Sequence, residues 1–292
     1  MSFSTTAAAL LYRIQNGFSK HAVELVYASH SLWPLPKTVS PPQSQLRILV
    51  LDASFNPPTL AHLALANSRP PPHEIDSTTP NNRDYDAKLL VLSVRNADKT
   101  LKPGDATYLQ RLEMLEIFAQ AIKPQEGLEP NIAIAMVDEP TFVGKSKILQ
   151  TFLKNRLAAS SWQRSTQLDF ILGFDTLERL VQPRYYGSEQ QMMTSLRHFF
   201  SPEGDNSSVV CARRASSSYI PADDVDHAIA NEFISMGRIN FIDIGEDLAK
   251  YSSSEVRNNI RQRGLETAEW KKFVPLGIAS YIVREGLYRS SL

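Results

Sequence analysis

Nine consecutive residues, Ser54-Phe55-Asn56-Pro57-Pro58-Thr59-Leu60-Ala61-His62, carry the types and spacing that could bind a phosphorylated ligand. Proline removes amide donors and fixes φ, and the residue before each proline is kept out of helical space, so Ser54 to Pro58 must form a turn. Thr59 then suits a helix N-cap, with His62 in the first turn behind it. Free amides, the positive end of a helix dipole and an imidazole would meet at one place, which is the chemistry of anion capture. A second group lies far along the chain. Ser252, Ser253 and Ser254 offer hydroxyls and consecutive amides at a helix start, and Arg257 follows Ser254 by three residues, close enough to add charge-assisted hydrogen bonds to the same anion.

The elements that must hold these groups can be read from hydrophobic spacing. Leu49, Val50 and Leu51 form a short apolar run, as expected of a strand buried on both faces of a parallel sheet. The first turn would therefore stand at the carboxyl end of a strand, where open α/β sheets bind ligands. Leu89 to Leu92, Ile132 to Val137, Leu168 to Leu172, Val209 to Ala212 and Ile239 to Ile244 read as further strands. Helices are expected near Thr107 to Ile122, Lys145 to Leu157, Asp175 to Val181, Ser254 to Arg263 and Pro275 to Glu285. This alternation predicts an α/β fold, a Rossmann-like doubly wound parallel sheet with helices on both faces. No Gly-x-Gly-x-x-Gly follows the first strand, which excludes a dehydrogenase-type dinucleotide domain.

Composition narrows the ligand. The 292 residues carry 31 basic and 31 acidic side chains, so no global field favours nucleic acid, and charge for a phosphate must be local. A small phosphorylated molecule fits better than a polymer. The single cysteine, Cys211, excludes an internal disulfide and a cysteine zinc cluster, and its place in Ser208-Val209-Val210-Cys211-Ala212 makes it a buried strand residue. No apolar run approaches the ~18 to 20 residues of a membrane span, so a soluble, cytoplasmic chain without membrane contact is expected. Residues 1–44 read as an N-terminal helical extension and a Pro-rich linker, residues 45–292 as the main domain, and residues 69–86 as a polar insertion. Leu10, Leu11, Ile14 and Phe18 would share one face of the N-terminal helix, a periodicity that runs on through Val23, Leu25 and Val26. Residues 1–23 contain no acid and several Ser, Thr and Ala, the composition of a mitochondrial transit peptide, so a mitochondrial or nuclear location stays open beside the cytoplasm.

Ser-Phe-Asn-Pro-x-Thr-x-x-His after a hydrophobic strand resembles the nicotinamide mononucleotide adenylyltransferase family of nucleotidyltransferases. Two further segments support the likeness. Tyr251-Ser252-Ser253-Ser254-Glu255-Val256-Arg257 is similar to the family's Ile-Ser-Ser-Thr-x-Ile-Arg over the ATP phosphates, and Ile171-Leu172-Gly173-Phe174-Asp175 resembles its Gly-x-Asp strand end. The three occur in family order across roughly residues 46 to 290, and the likeness is to a divergent, fungal-type eukaryotic branch. It implies transfer of the adenylyl group of ATP to nicotinamide mononucleotide, giving NAD and pyrophosphate by direct in-line displacement, with Mg²⁺ carried in on ATP. No protein partner is named by the sequence.

On that resemblance His62 and Arg257 are the catalytic candidates. Ser54, Phe55, Thr59, Gly173, Asp175, Ser252, Ser253 and Ser254 would join them around ATP. Ser54, Phe55, Lys99, Phe142, Tyr186 and Arg213 would meet the mononucleotide, with Lys102 competing for the role of Lys99. Arg111 matches a family arginine that opens a long helix and could instead hold the fold. The chain departs from the family at three places. Ala53 stands where the family has glycine, a β-carbon that could narrow the site or forbid a positive φ. Phe142 and Tyr186 stand where stacking tryptophans are usual, while Trp33, Trp162 and Trp270 lie outside the motifs. These departures leave open nicotinic acid mononucleotide or another phosphate monoester as acceptor, and a catalytically degenerate nucleotide-binding or partner-binding protein on the same fold.

Overall fold

Seven segments pair edge to edge in the computed structural model, which describes residues 2–37, 45–71, 84–95, 101–124, 128–160, 165–212 and 225–289. They are β1 (Val23–Ala28), β2 (Leu46–Asp52), β3 (Ala87–Ser93), β4 (Ile132–Val137), β5 (Thr166–Gly173), β6 (Ser207–Ala212) and β7 (Ile239–Ile242), in the spatial order β1-β4-β3-β2-β5-β6-β7. All pairs are parallel except β1 with β4. Every residue of β3, β4 and β6 is buried, which is why Leu89 to Leu92, Ile132 to Val137 and Val209 to Ala212 read as apolar runs.

Ten helices of the described residues cover the sheet. On one face lie α1 (Phe3–Gln15), α2 (Leu60–Ala66), α3 (Tyr108–Ala121), α9 (Ser253–Arg263) and α10 (Leu276–Glu285), packed on Leu49 and Leu51 of β2. On the other lie α4 (Phe142–Leu157), α5 (Phe174–Leu180), α6 (Glu189–Phe200) and α7 (Val225–Ser235), packed on Ile48 and Val50. The period-2 alternation of β2 thus divides two cores, as the pleat requires. A one-turn helix, α8 (Glu246–Ala249), precedes α9. None of the described helices is long and apolar enough to cross a membrane.

Three expectations are corrected here. The periodicity through Val23, Leu25 and Val26 is not helical: α1 stops at Gln15, Gly17 turns the chain at φ 70°, and Val23–Ala28 joins the sheet antiparallel to β4. Phe18 lies past that stop and is 63% exposed, whereas Ile14 is buried as expected. The helix expected from Lys145 begins a turn earlier, because Thr141 caps it by accepting the Gly144 amide at 3.1 Å. A β-carbon on Gly144 would stand 2.3 Å from Glu139 Cδ, so a larger residue there would displace the Glu139 side chain. Trp33, Trp270 and Cys211 are core residues, while Trp162 lies outside the described residues.

Candidate active site

The strand order reverses between β2 and β5: the chain runs from β2 outward through β3 to β4, then returns to β5 on the other side. Such a switch point parts the loops that leave the two strands and opens a crevice at their carboxyl ends. A cavity of about 920 Å³ occupies it, large enough for a ligand of drug size or above. Both faces of the sheet contribute to its walls, so its two ends differ in chemistry.

At the end beside α2 stands His62. Its Nδ1 accepts the Thr59 backbone N–H at 3.1 Å, and the Thr59 hydroxyl lies 2.8 Å from the same nitrogen. Thr59 Oγ1 in turn accepts the His62 amide at 3.4 Å, closing a capping box around the first turn of α2. Because Nδ1 is an acceptor, the neutral ring must carry its proton on Nε2, which leaves an N–H donor on the cavity side. Burial holds this imidazole neutral, lowering its pKa from 6.5 to about 4. The folded protein therefore binds fewer protons than the unfolded chain between those values. Its stability should hold above pH ~6.5 and fall as pH drops toward about 4. A series of urea midpoints across that window checks this, and His62→Gln should flatten that part of the profile.

Phe55 and Thr59, expected as ligand contacts, do not line the cavity. Phe55 is fully buried, its ring 5.5 Å from the His62 ring and 6.1 Å from Phe118. Thr59 is fully buried as the cap. Both act behind His62 rather than beside it. Ala53 avoids the conflict feared for a β-carbon, because the positive φ of this turn, 45°, falls on Phe55. Ser54 does reach the cavity.

The serine run meets the turn directly. Ser252 is the N-cap of α9, accepting the Glu255 amide at 3.1 Å, and Ser253 Oγ donates to Pro57 O at 2.7 Å. Arg257 Nη1 donates to Asn56 O at 2.5 Å and Nη2 to Ser254 Oγ at 3.3 Å. All three hydroxyls are thus engaged in structure, and the first-turn amides of α9 are what a helix start leaves for an anion. Arg111, buried in α3, donates to Ser54 O at 3.3 Å and to Ala106 O at 3.0 Å, so it braces the same turn. Asp105 stands 3.5 Å from Arg257, 3.8 Å from Arg111 and 3.9 Å from Arg261. One carboxylate facing three guanidiniums leaves local positive charge that a phosphate chain would complement.

The opposite end is aromatic. Phe142 opens α4 with its ring edge-on to Phe170 at 5.8 Å, and Tyr186 donates its hydroxyl to Leu180 O at 2.7 Å. Both line the cavity. Gly173 and Asp175 are exposed on its rim, and the cap of α5 is Gly173 rather than Asp175. Lys99 and Arg213 lie outside the described residues, whereas Lys102 is exposed at the cavity mouth. Sequence reasoning missed Asp52, Lys145, Asp105 and Arg179, all of which line the space. Asp52 had a visible signal: it is the charged residue that ends the apolar run of β2.

In this doubly wound α/β protein the switch-point crevice is lined by an imidazole, a helix start and a cluster of arginines, groups whose chemistry suits an anion. The chain is similar to the "Putative nicotinamide mononucleotide adenylyltransferase" of Schizosaccharomyces pombe, at 31% identity over 154 residues, or 53% of this chain. The match spans about half, 49%, of that relative's length. Among solved structures, the nicotinic acid mononucleotide adenylyltransferase of Plasmodium falciparum, complexed with APC, has a TM-score of 0.49 at 17% identity, covering 83% of this chain and 97% of its own. A second, the "Putative Nicotinate-nucleotide Adenylyltransferase" of Vibrio parahaemolyticus, gives 0.40 at 14% identity, covering 85% and 98%. No family model matches the chain. The fold assignment rests on the strand order itself.

Proposed function

We propose that this chain is a pyridine-nucleotide adenylyltransferase that joins the adenylyl group of ATP to nicotinamide mononucleotide, releasing pyrophosphate and forming NAD. The observation that carries this reading is His62 locked as an Nε2–H donor over the switch-point cavity, opposite the first turn of α9. The 5′-phosphate of the mononucleotide forms the new P–O bond at the α-phosphorus of ATP as the bond to pyrophosphate breaks. That nucleophile is already ionised, so no general base is needed, and catalysis consists of aligning two polyanions and stabilising charge on the transferring group. His62 donates to an α-phosphate oxygen, and Arg257 with the α9 amides holds the phosphate chain.

Ser54 and the rim at Gly173 and Asp175 serve the nucleosides, and Phe142 and Tyr186 flank the pyridine. Mg²⁺ supplies charge neutralisation when bound with ATP. Among the described residues no group of three His, Cys, Asp or Glu side chains could hold it, so its oxygens would come largely from phosphate and water.

The test is pyrophosphate release by the full chain with ATP, Mg²⁺ and nicotinamide mononucleotide, beside nicotinic acid mononucleotide and a His62→Ala control, with the dinucleotide identified by mass. NAD formation that depends on His62 is expected. Tight ATP binding with no dinucleotide from either acceptor would replace this reading with another acceptor or a binding protein.

A further inference from the structure

We propose that the buried Asp52–Lys145 pair selects the acceptor, favouring a pyridine ring that bears a neutral carboxamide over one that bears a carboxylate; this rests on the adenylyl-transfer reading. Asp52 follows Ile48 and Val50 on the period-2 face of β2 that packs against α4 to α7. Its side chain is thereby directed to the aromatic end of the cavity. Lys145 stands one helical turn beyond Phe142 on α4. Its ammonium donates to Asp52 Oδ2 at 2.5 Å and sits 5.1 Å from the centre of the Phe142 ring. The two side chains are 5% and 7% exposed, and both line the cavity.

A buried ion pair is weak as a stabilising device, since apolar residues of similar volume often do as well. The strand positions before Asp52 on its face are apolar already. What the pair adds is a pattern of hydrogen-bonding groups. Among the described residues, Asp52 Oδ1 receives no hydrogen bond, and Lys145 donates to no oxygen other than Asp52 Oδ2. One acceptor and two donor protons therefore stand side by side with no net charge. A primary carboxamide matches both, its NH₂ donating to Oδ1 and its oxygen accepting from Nζ. A carboxylate matches only the ammonium, and its second oxygen meets the Asp52 carboxylate as a like charge in a cleft of low dielectric. Asp52 is the discriminating member, because Lys145 alone would favour the acid.

The experiment compares kcat/KM for nicotinamide and nicotinic acid mononucleotide in the unmodified chain, in Asp52→Asn and in the double variant Asp52→Leu with Lys145→Met. Acceptor Kd values, measured by calorimetry with a non-hydrolysable ATP analogue, accompany the rates. The unmodified chain is expected to prefer the amide on the order of tenfold or more. Asp52→Asn should shift that ratio toward the acid by a similar factor, and the apolar double variant, which removes the charges together and is the safer folder, should bring it near one. A ratio unchanged in both variants, or a preference for the acid in the unmodified chain, overturns the proposal. Absence of turnover with either acceptor defeats the adenylyl-transfer reading instead, and the Kd ratios then decide the role of the pair. Failure to bind either acceptor overturns both.

Discussion

Replacing His62 with alanine is expected to lower turnover by roughly 10² to 10³, or more, the scale of removing one transition-state donor. The expectation follows from how the ring is held. Nδ1 is occupied by the Thr59 amide, so the ring cannot present the wrong nitrogen, and burial keeps it neutral without removing its Nε2 proton. A donor fixed before the substrate arrives needs no reorganisation as charge develops. The ATP KM should change little, because the bond is strongest in the transition state. Folding should survive, since the Thr59 hydroxyl still caps α2 and Phe55 still fills the core behind the ring. Steady-state pyrophosphate release and a thermal melt on the same preparation check both halves, and unchanged turnover would reject the assignment.

The largest stability loss is expected within the sheet, in Asp169→Ala. Asp169 is fully buried in the middle of β5 and accepts from Arg47 Nη2 at 2.5 Å, Gln167 Nε2 at 2.6 Å and Ser208 Oγ at 2.6 Å. Removing it takes the counter-charge from a guanidinium that is only 17% exposed and keeps just a 3.3 Å bond to Pro71 O, and it leaves two neutral donors unpaired. Breaking one side of a buried pair in this way costs about 3 to 5 kcal/mol. Urea unfolding should show a lower midpoint at unchanged slope. A loss below about 1 kcal/mol would mean that water replaces the carboxylate.

Much of this architecture was legible because burial on both faces makes parallel strands read as apolar runs. The β2, β3, β4, β5 and β6 segments were all visible, as was the cap-and-histidine start of α2. The first strand was not, since Val23 to Ala28 alternates too weakly: Glu24 is itself buried, in an ion pair with Arg13 at 3.6 Å. Helix α6 went unread despite a clear apolar stripe through Met192, Leu196 and Phe199. In the site, motif reading reached the proline turn and the start of α9, which line the cavity, but could not separate the lining residues from Phe55 and Thr59, which stand behind it. For Phe55 that distinction depends on the side to which a positive φ turns the ring, and for Thr59 on its hydroxyl being taken up by the cap of α2. Asp52 and Lys145 escaped because their partnership spans 93 positions and exists only across the fold.

The bonds from Ser253 to Pro57 and from Arg257 to Asn56 join residues 196 and 201 positions apart. They impose an order in time on a chain made from its N-terminus. The proline turn precedes β3 to β7 in the chain, so the carbonyls of Asn56 and Pro57 gain these partners only after those strands have been made. Helix α9 then arrives as the last wall. The crevice between the proline turn and α9 is therefore complete only after residues 253–263 have joined residues 54–62.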